Sequence, residues 1–315
     1  MKYNKQISQL KTGDEIEGFY ILKNAAGKTS TSGKPFLSGC LSDKSGIIDL
    51  KVWDYPGPIS SSDEGSVVKI RGNVDSYRGS PQLVASRIRL IQEGDRFDPA
   101  ALVPVAPIDA DAAWTELLAA TAAIPDKDYR DICRWMIEKY GEKFRALPGG
   151  KSVHHSFLNG LLMHTLFMAR TAQTMADLYV GVVDRSLLVA GTILHDFAKC
   201  EEFEISNMGL VTDYSVKGQL LGHLVMGAQA VAQAGRELGV PEEKSVLLQH
   251  MILSHHGEPE FGAAVRPMCA ESELLHIIDL MDSRMEIYRE TLGEMESGTF
   301  SQRIFALGKK VYKHQ

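Results

Sequence analysis

Several absences narrow what this chain can be. No run of about 18 apolar residues occurs in its 315 positions, so no transmembrane helix is expected. The opening stretch MKYNKQISQLKTGDE has no apolar core and does not read as a secretory signal. There are only four cysteines (Cys40, Cys133, Cys200 and Cys269), far apart and without a CxxC pair. They give no zinc-finger pattern and fit reduced thiols in a cytoplasmic protein. No internal repeat or low-complexity tract is visible. What is present is a 44% hydrophobic composition, enough for ordinary cores, and a length that suggests two domains.

Charge divides the chain the same way. Residues 1–92 carry 13 Lys/Arg against 9 Asp/Glu, a net of +4; the rest carries 21 against 31, a net of −10. An acidic segment can still process a polyanion when cations supply local positive charge and a basic neighbour captures the substrate.

Residues 14–92 read as strands. EIEGFYILK, PFLSGCLS, GIIDLKVW, SVVKIRGNV and QLVASRIRLI are rich in β-branched and aromatic residues and are punctuated by Gly, Ser, Asp and Pro. Five strands in about 80 residues predict a small barrel of the OB type, forming a domain over 1–92. In the third run, Ile48, Leu50 and Val52 alternate with Asp49, Lys51 and Trp53. In the second, Leu37 and Leu41 form the apolar set and leave Phe36 on the other side. Phe36 and Trp53 therefore share an outward face. Interleaved with Lys51, Arg71 and Arg78, and with Tyr77 in a hairpin loop, they suit base stacking and phosphate contact. Packing of the two rings under a loop or against the second domain fits the pattern as well.

Residues 93–112, with three prolines and four aspartates, read as a linker. From 113 to 315 the apolar spacing is three and four, which predicts an all-helical domain. Nine of the ten histidines fall between positions 154 and 276. His164, the doublet His195-Asp196, His223, His255 and Asp279 stand in apolar strings such as LLMHTLFMAR and VAGTILHDFAK, where unpaired polar groups are costly. Neutral imidazole and ionised carboxylate are good ligands for a divalent metal. The Asp196 carboxylate is suited to bridging two cations, one oxygen to each, an arrangement that serves in-line displacement at phosphorus. Lys199, one helical turn past His195, is placed for a phosphate or a leaving oxygen. His250 and His276 read as ordinary structural hydrogen-bonding groups.

The order His164, His195-Asp196, Asp279 resembles the HD phosphohydrolase superfamily, and His223 with His255-His256 resembles the added ligands of its dinuclear branches. The strings HHSFLNGLLMHT, AGTILHDFAK, GQLLGH, ILSHHGEPEFGAAVRP and ELLHIIDLMDSRM are similar to the YhaM-type 3′→5′ exoribonucleases, in which an OB-type module precedes the HD domain. The resemblance implies that His164, His195, Asp196 and Asp279 bind one metal and that Asp196, His223 and His255 bind the other. It leaves His256 as a ligand, an outer hydrogen-bonding group or a contact to the scissile phosphate. It places His154 and His155 along a substrate channel, with helix capping or packing as the alternative. Departures are Ala198 where Gly is common, Asn159-Gly160 for Gly-Gly, and Met163 for Glu; none removes a ligand. The expectation is a hydrolase with two divalent ions, Mn²⁺ first and Fe²⁺, Co²⁺ or Ni²⁺ also fitting. It acts on single-stranded RNA, with single-stranded DNA as a second substrate. It is not membrane-bound and is compatible with a homo-oligomer. Two other readings are an HD enzyme acting on a small nucleotide and a non-catalytic nucleic-acid-binding protein.

Overall fold

The computed structural model describes residues 2–30, 32–77, 80–150, 155–206 and 208–315. They divide into two compact units, 1–105 with 205–212, and 106–204 with 213–315.

The first unit is a closed barrel built from β1 (Lys2–Tyr3), β2 (Glu15–Thr29), β3 (Pro35–Asp43), β4 (Gly46–Trp53), β5 (Val67–Tyr77) and β6 (Ser80–Leu90). The order is β1-β2-β3-β4-β6-β5, and β5 returns to β2 to close the cylinder. Closure needs one strand to serve two neighbours. The 15-residue β2 does so, pairing with β5 over Glu15–Ile21 and with β3 over Ile21–Thr29. A bulge between Lys23 and Ala26 re-aims it on the way. β4 and β6 are parallel, the other pairs of the main barrel strands antiparallel. At the β5–β6 bulge, a Cβ on Gly72 would come within 2.3 Å of the Val84 carbonyl oxygen, so only glycine fits that approach. Alternation fills the interior with Leu22, Leu37, Leu41, Leu50, Val68, Ile70, Val74 and Leu83. A short helix, α1 (Pro99–Leu102), follows, capped by the Asp98 side chain.

From residue 106 onward the chain forms α2 (Ala110–Ala122), α3 (Lys127–Ala146), α4 (Gly160–Leu178), α5 (Arg185–Leu194), α6 (Lys199–Glu202), β7 (Phe203–Ile205), β8 (Val211–Tyr214), α7 (Val216–Leu238), α8 (Glu242–Ser254) and α9 (Ala270–Glu294). The start of α2 thus falls inside the stretch read as a linker. The two-stranded β7–β8 sheet interrupts an expected run of helices. Its strands are too short to carry a period of their own, and its 205–212 portion groups with the first unit.

α5 packs against α3, α4, α8 and α9. That is why Ser186–Leu194 is apolar or small on every side and wholly buried. The Asp184 side chain starts it by accepting from the Ser186 and Leu187 amides. Just after its end, Phe197 stacks on Phe144 of α3 with ring centroids 4.0 Å apart, which pins the turn carrying His195 and Asp196.

Leu50, fully buried in the barrel, gives a stability prediction. Leu50→Ala should lower unfolding free energy by about 2–5 kcal/mol. The check is chemical denaturation followed by a barrel-specific signal; a loss near zero would mean that the barrel core does not close as described.

Candidate metal centre

Five helices deliver one cluster. His164 is in the first turns of α4. His195 and His255 are the C-cap residues of α5 and α8. Asp196 and His256 follow those caps directly, and Asp279 lies mid-way along α9. His223 needs a special device. α7 is broken at Gly222, whose φ of 70° and ψ of 162° are non-helical. Glycine takes that conformation without Cβ strain. The freed His223 backbone N–H donates to Glu202 Oε1 at 3.0 Å, so the second half of α7 starts at the site itself.

The cluster is organised around Asp196, which is 3% exposed. On the Oδ2 side, His195 Nε2 is 3.2 Å away and His164 Nε2 3.9 Å. His164 Nε2 is in turn 3.3 Å from both His195 Nε2 and Asp279 Oδ1. On the Oδ1 side, His223 Nε2 is at 3.4 Å and His255 Nε2 at 3.8 Å. Donors that share one ion at about 2.1 Å stand about 3–3.4 Å apart at right or tetrahedral angles, so most of these spacings suit common ligands. His164, His195 and Asp196 form one compact donor set and His223, His255 and His256 another.

Four imidazoles of the cluster, His164, His195, His223 and His255, each have the outer nitrogen engaged. Nδ1 of His195 donates to the Thr192 carbonyl and Nδ1 of His255 to the Ile252 carbonyl, both at 2.7 Å, the same device at two helix ends. Nδ1 of His164 donates to Asp282 at 2.7 Å and Nδ1 of His223 to Glu202 at 3.0 Å. Such partners fix the tautomer and aim Nε2 at a metal. The C-termini of α5 and α8 add the negative ends of two helix dipoles, which favour a cation. Asp196 Oδ1, His223 Nε2 and His256 Nδ1 are buried without a hydrogen-bond partner among the described residues. Orphaned polar atoms of this kind cost about 1–3 kcal/mol each, and a bound cation removes the deficit. The donor set therefore fits a divalent metal.

Charge states agree. Burial works against ionised Asp196, but Lys199 and His195 outweigh it and hold the carboxyl well below its usual range. Lys199 Nζ donates to Asp196 Oδ2 at 2.7 Å and to the Gly149 carbonyl at 2.9 Å. Burial, then His195 and His256, push His255 well down; burial, then His223, lower His256. His164 goes the other way. Burial would lower it, but Asp279 and Asp282 prevail and raise it to about 10.

A cavity of about 330 Å³ opens on the cluster, lined by His155, His164, Asp196, Lys199, His255, His256 and Asp279 among others. His155, read from sequence as lining a substrate channel, borders it but is only 1% exposed. Its Nε2 lies 3.4 Å from Asp282 and 3.8 Å from Glu286. His154 lies outside the described residues. The sequence reading missed Asp282, which a three-residue step from Asp279 puts on the same helix face, and Glu202, which left no local signal.

In the first unit, Phe36 and Trp53 are directly paired across β3 and β4, with ring centroids 5.0 Å apart and Trp53 53% exposed. Lys51 Nζ lies 5.0 Å from the Phe36 ring centre and donates to Ser38 Oγ at 2.9 Å. Arg71 pairs with Glu15 at 3.2 Å. Tyr77 is exposed at the end of β5, and Arg78 lies outside the described residues. Trp53 and Arg71 also border a groove of about 520 Å³ with Lys69, Arg87 and Arg89, three cations the sequence reading did not single out.

Comparison with known proteins places this arrangement. The HD domain family matches residues 161–284, and the OB-fold nucleic acid binding domain matches residues 23–91. A 3′-5′ exoribonuclease YhaM of Geobacillus sp. is 34% identical over 98% of this chain and 94% of the relative. One from Listeria innocua is 34% identical over 98% and 97%. The chain belongs to the YhaM family. Among solved structures it is similar to the second OB-fold domain of replication protein A from Methanococcus maripaludis. That match is 16% identical, covers 30% of this chain and 100% of that chain, and has a TM-score of 0.24. As a YhaM-family protein the chain pairs an OB-fold barrel with a helical HD domain, and its His/Asp clusters are those of a metal-dependent hydrolase.

The raised His164 pKa gives a pH prediction. At neutral pH the metal-free imidazole holds a proton between Nε2 and Asp279, and that proton must leave before the nitrogen takes a cation. Metal affinity should fall as pH is lowered through the neutral range, with proton release on binding. Calorimetry in buffers of different ionisation enthalpy measures this; no proton release at pH 7 would contradict it.

Proposed function

We propose that this protein is a metal-dependent 3′→5′ exoribonuclease that hydrolyses single-stranded RNA, with single-stranded DNA as a second substrate. The observation that carries the reading is the division of donors about Asp196, joined to an OB-fold barrel in one chain. His164, His195, Asp279 and Asp196 Oδ2 would hold one divalent ion; Asp196 Oδ1, His223 and His255 would hold a second. Mn²⁺ suits the mixed imidazole and carboxylate set, as do Fe²⁺, Co²⁺ and Ni²⁺. Bound cations supply Lewis acidity, lowering the pKa of water and neutralising charge at phosphorus.

The chain's own groups do the rest. Lys199 keeps Asp196 ionised and oriented and brings an ammonium to the cavity wall beside the scissile phosphate. His256, kept neutral by burial and with Nδ1 lacking a partner among the described residues, is suited to a further ligand position or to a phosphate oxygen. Asp282 and Glu202 hold His164 and His223 in their ligating tautomers. His155 steadies Asp282 and marks one edge of the substrate channel, with His154 beside it in sequence. In the barrel, bases would stack on Phe36 and Trp53, while Lys51, Arg71, Arg87 and Arg89 follow the phosphates and Tyr77 extends the face; Arg78, next to Tyr77 in sequence, is a further candidate phosphate contact. Action in the cytoplasm is part of this reading; among the described residues no helix is long and apolar enough to cross a membrane. A homo-oligomeric state is compatible with the family.

The modest cavity favours one other reading, hydrolysis of a small nucleotide such as a cyclic dinucleotide or a nucleoside polyphosphate. Two variants test the proposal. Asp196→Asn keeps shape but removes the shared charge. Hydrolysis of a labelled single-stranded oligonucleotide should drop by more than about 100-fold, beyond the range for outer-shell changes, while binding by the barrel persists. Near-normal rates in that variant would sink the shared-carboxylate mechanism. Turnover of small nucleotides but not of the oligonucleotide by the wild type would favour the other reading. Trp53→Ala should weaken oligonucleotide binding by about 1–3 kcal/mol; an unchanged Kd would make the ring purely structural.

A further inference from the structure

The cavity over the metal cluster carries an aromatic ring that the chemistry at phosphorus leaves unused. Phe261 lines this cavity and is 72% exposed. A single exposed apolar residue is ordinary by itself. Phe261 differs in where it stands and how firmly it is held. It ends a 3₁₀ turn, Pro259–Phe261, that begins three residues after His256. The turn is tied at both ends: Glu258 N–H donates to the His256 carbonyl at 3.0 Å, Phe261 N–H to the Glu258 carbonyl at 2.9 Å, and Ala264 N–H to the Leu253 carbonyl at 3.0 Å. Gly257 and Gly262 supply left-handed corners at φ 80° and 99°. Arg266 clamps Glu258 at 2.7 Å. A Cβ on Gly262 would lie 3.4 Å from His256 Nδ1, so the turn runs close beside the ligand cluster.

The remaining lining completes the picture. Among the described residues, Leu280 of α9 is the other exposed apolar side chain on the cavity wall. Ser283 donates to Asp279 at 3.4 Å and His276 Nδ1 donates to the His255 carbonyl at 3.0 Å, so both have work within the frame. The cavity thus combines an ionic set of groups with an apolar pair. A terminal nucleotide has the same two chemistries, a phosphodiester and a flat base. At about 330 Å³ the cavity is at the small end of ligand sites, roughly 300–1,000 Å³, and suits one such unit rather than a folded strand.

We propose that Phe261 is the stacking platform for the 3′-terminal base, with Leu280 as its apolar edge, and that this contact places the last phosphodiester over Asp196. The inference rests on the exonuclease reading above. Phe261 positions the substrate and takes no part in bond breaking. Every base offers a π face, so the contact is tolerant of base identity.

The test compares wild type, Phe261→Ala and Phe261→Trp on two single-stranded oligonucleotides, one ordinary and one whose 3′-terminal nucleotide is abasic. For the wild type, loss of the terminal base should raise KM by about 5- to 150-fold. Phe261→Ala should raise KM on the ordinary oligonucleotide by a similar factor with little change in kcat, and should be indifferent to the abasic end. Phe261→Trp should restore the wild-type pattern. A Phe261→Ala variant with unchanged KM, or one that still responds fully to the abasic end, overturns the inference and leaves the exonuclease reading standing. A changed oligomeric state with an unchanged abasic response overturns it in favour of a subunit contact. A wild type that degrades neither oligonucleotide overturns both.

Discussion

The burial of one ionised carboxylate governs this structure. Asp196 lies at 3% exposure, where an unpaired charge would cost several kcal/mol even after relaxation. It is tolerated because Lys199 donates to one of its oxygens and imidazoles crowd both sides. Around that carboxylate the frame is closely packed. α5, which leads to it, packs against α2, α3, α4, α8 and α9, and the Phe197–Phe144 stack fixes the residue after it. The kink at Gly222, the caps at His195 and His255 and the acidic face of α9 all bring side chains to the same few ångströms.

The two units divide the physical task. The barrel segment is net basic and exposes paired rings, so it suits attraction and stacking, terms that tolerate any sequence and weaken with salt. The helical unit is net acidic and concentrates its carboxylates where cations are wanted. Positive charge in the reaction zone would then come mainly from bound ions and Lys199. Cations fixed near phosphorus act where charge develops during displacement, rather than contributing equally throughout binding.

Much of this was legible in the residues because it depends on local pattern. His164, His195, Asp196, His223, His255 and Asp279 stood out as polar groups in apolar helical strings, and the structure gathers all six. Ile48, Leu50 and Val52 against Lys51 and Trp53 gave the strand its two faces, and Phe36 does meet Trp53. What was illegible depends on distant chain segments meeting. Glu202 reaches His223 only because the chain breaks at Gly222. Asp282 becomes an imidazole partner only once α9 lies beside α4. The parallel β4–β6 pairing follows from barrel closure, which no single run encodes. The β7–β8 strands are too brief to outweigh the helical flanks around them. Phe261, in an irregular turn, belongs to no periodic pattern.

One feature of the imidazoles reaches beyond catalysis. All four are locked from behind, two by carbonyls of their own helices and two by carboxylates. The frame that orients them is thus made of protein contacts, unlike a zinc finger, whose ligands are unordered until the ion arrives. Those contacts hold each ring on its own helix frame. Binding strength among first-row metals follows their intrinsic order, so occupancy in a living cell is set by which of them is available. The imidazoles are thus aimed by protein contacts, whichever divalent ion the site would hold.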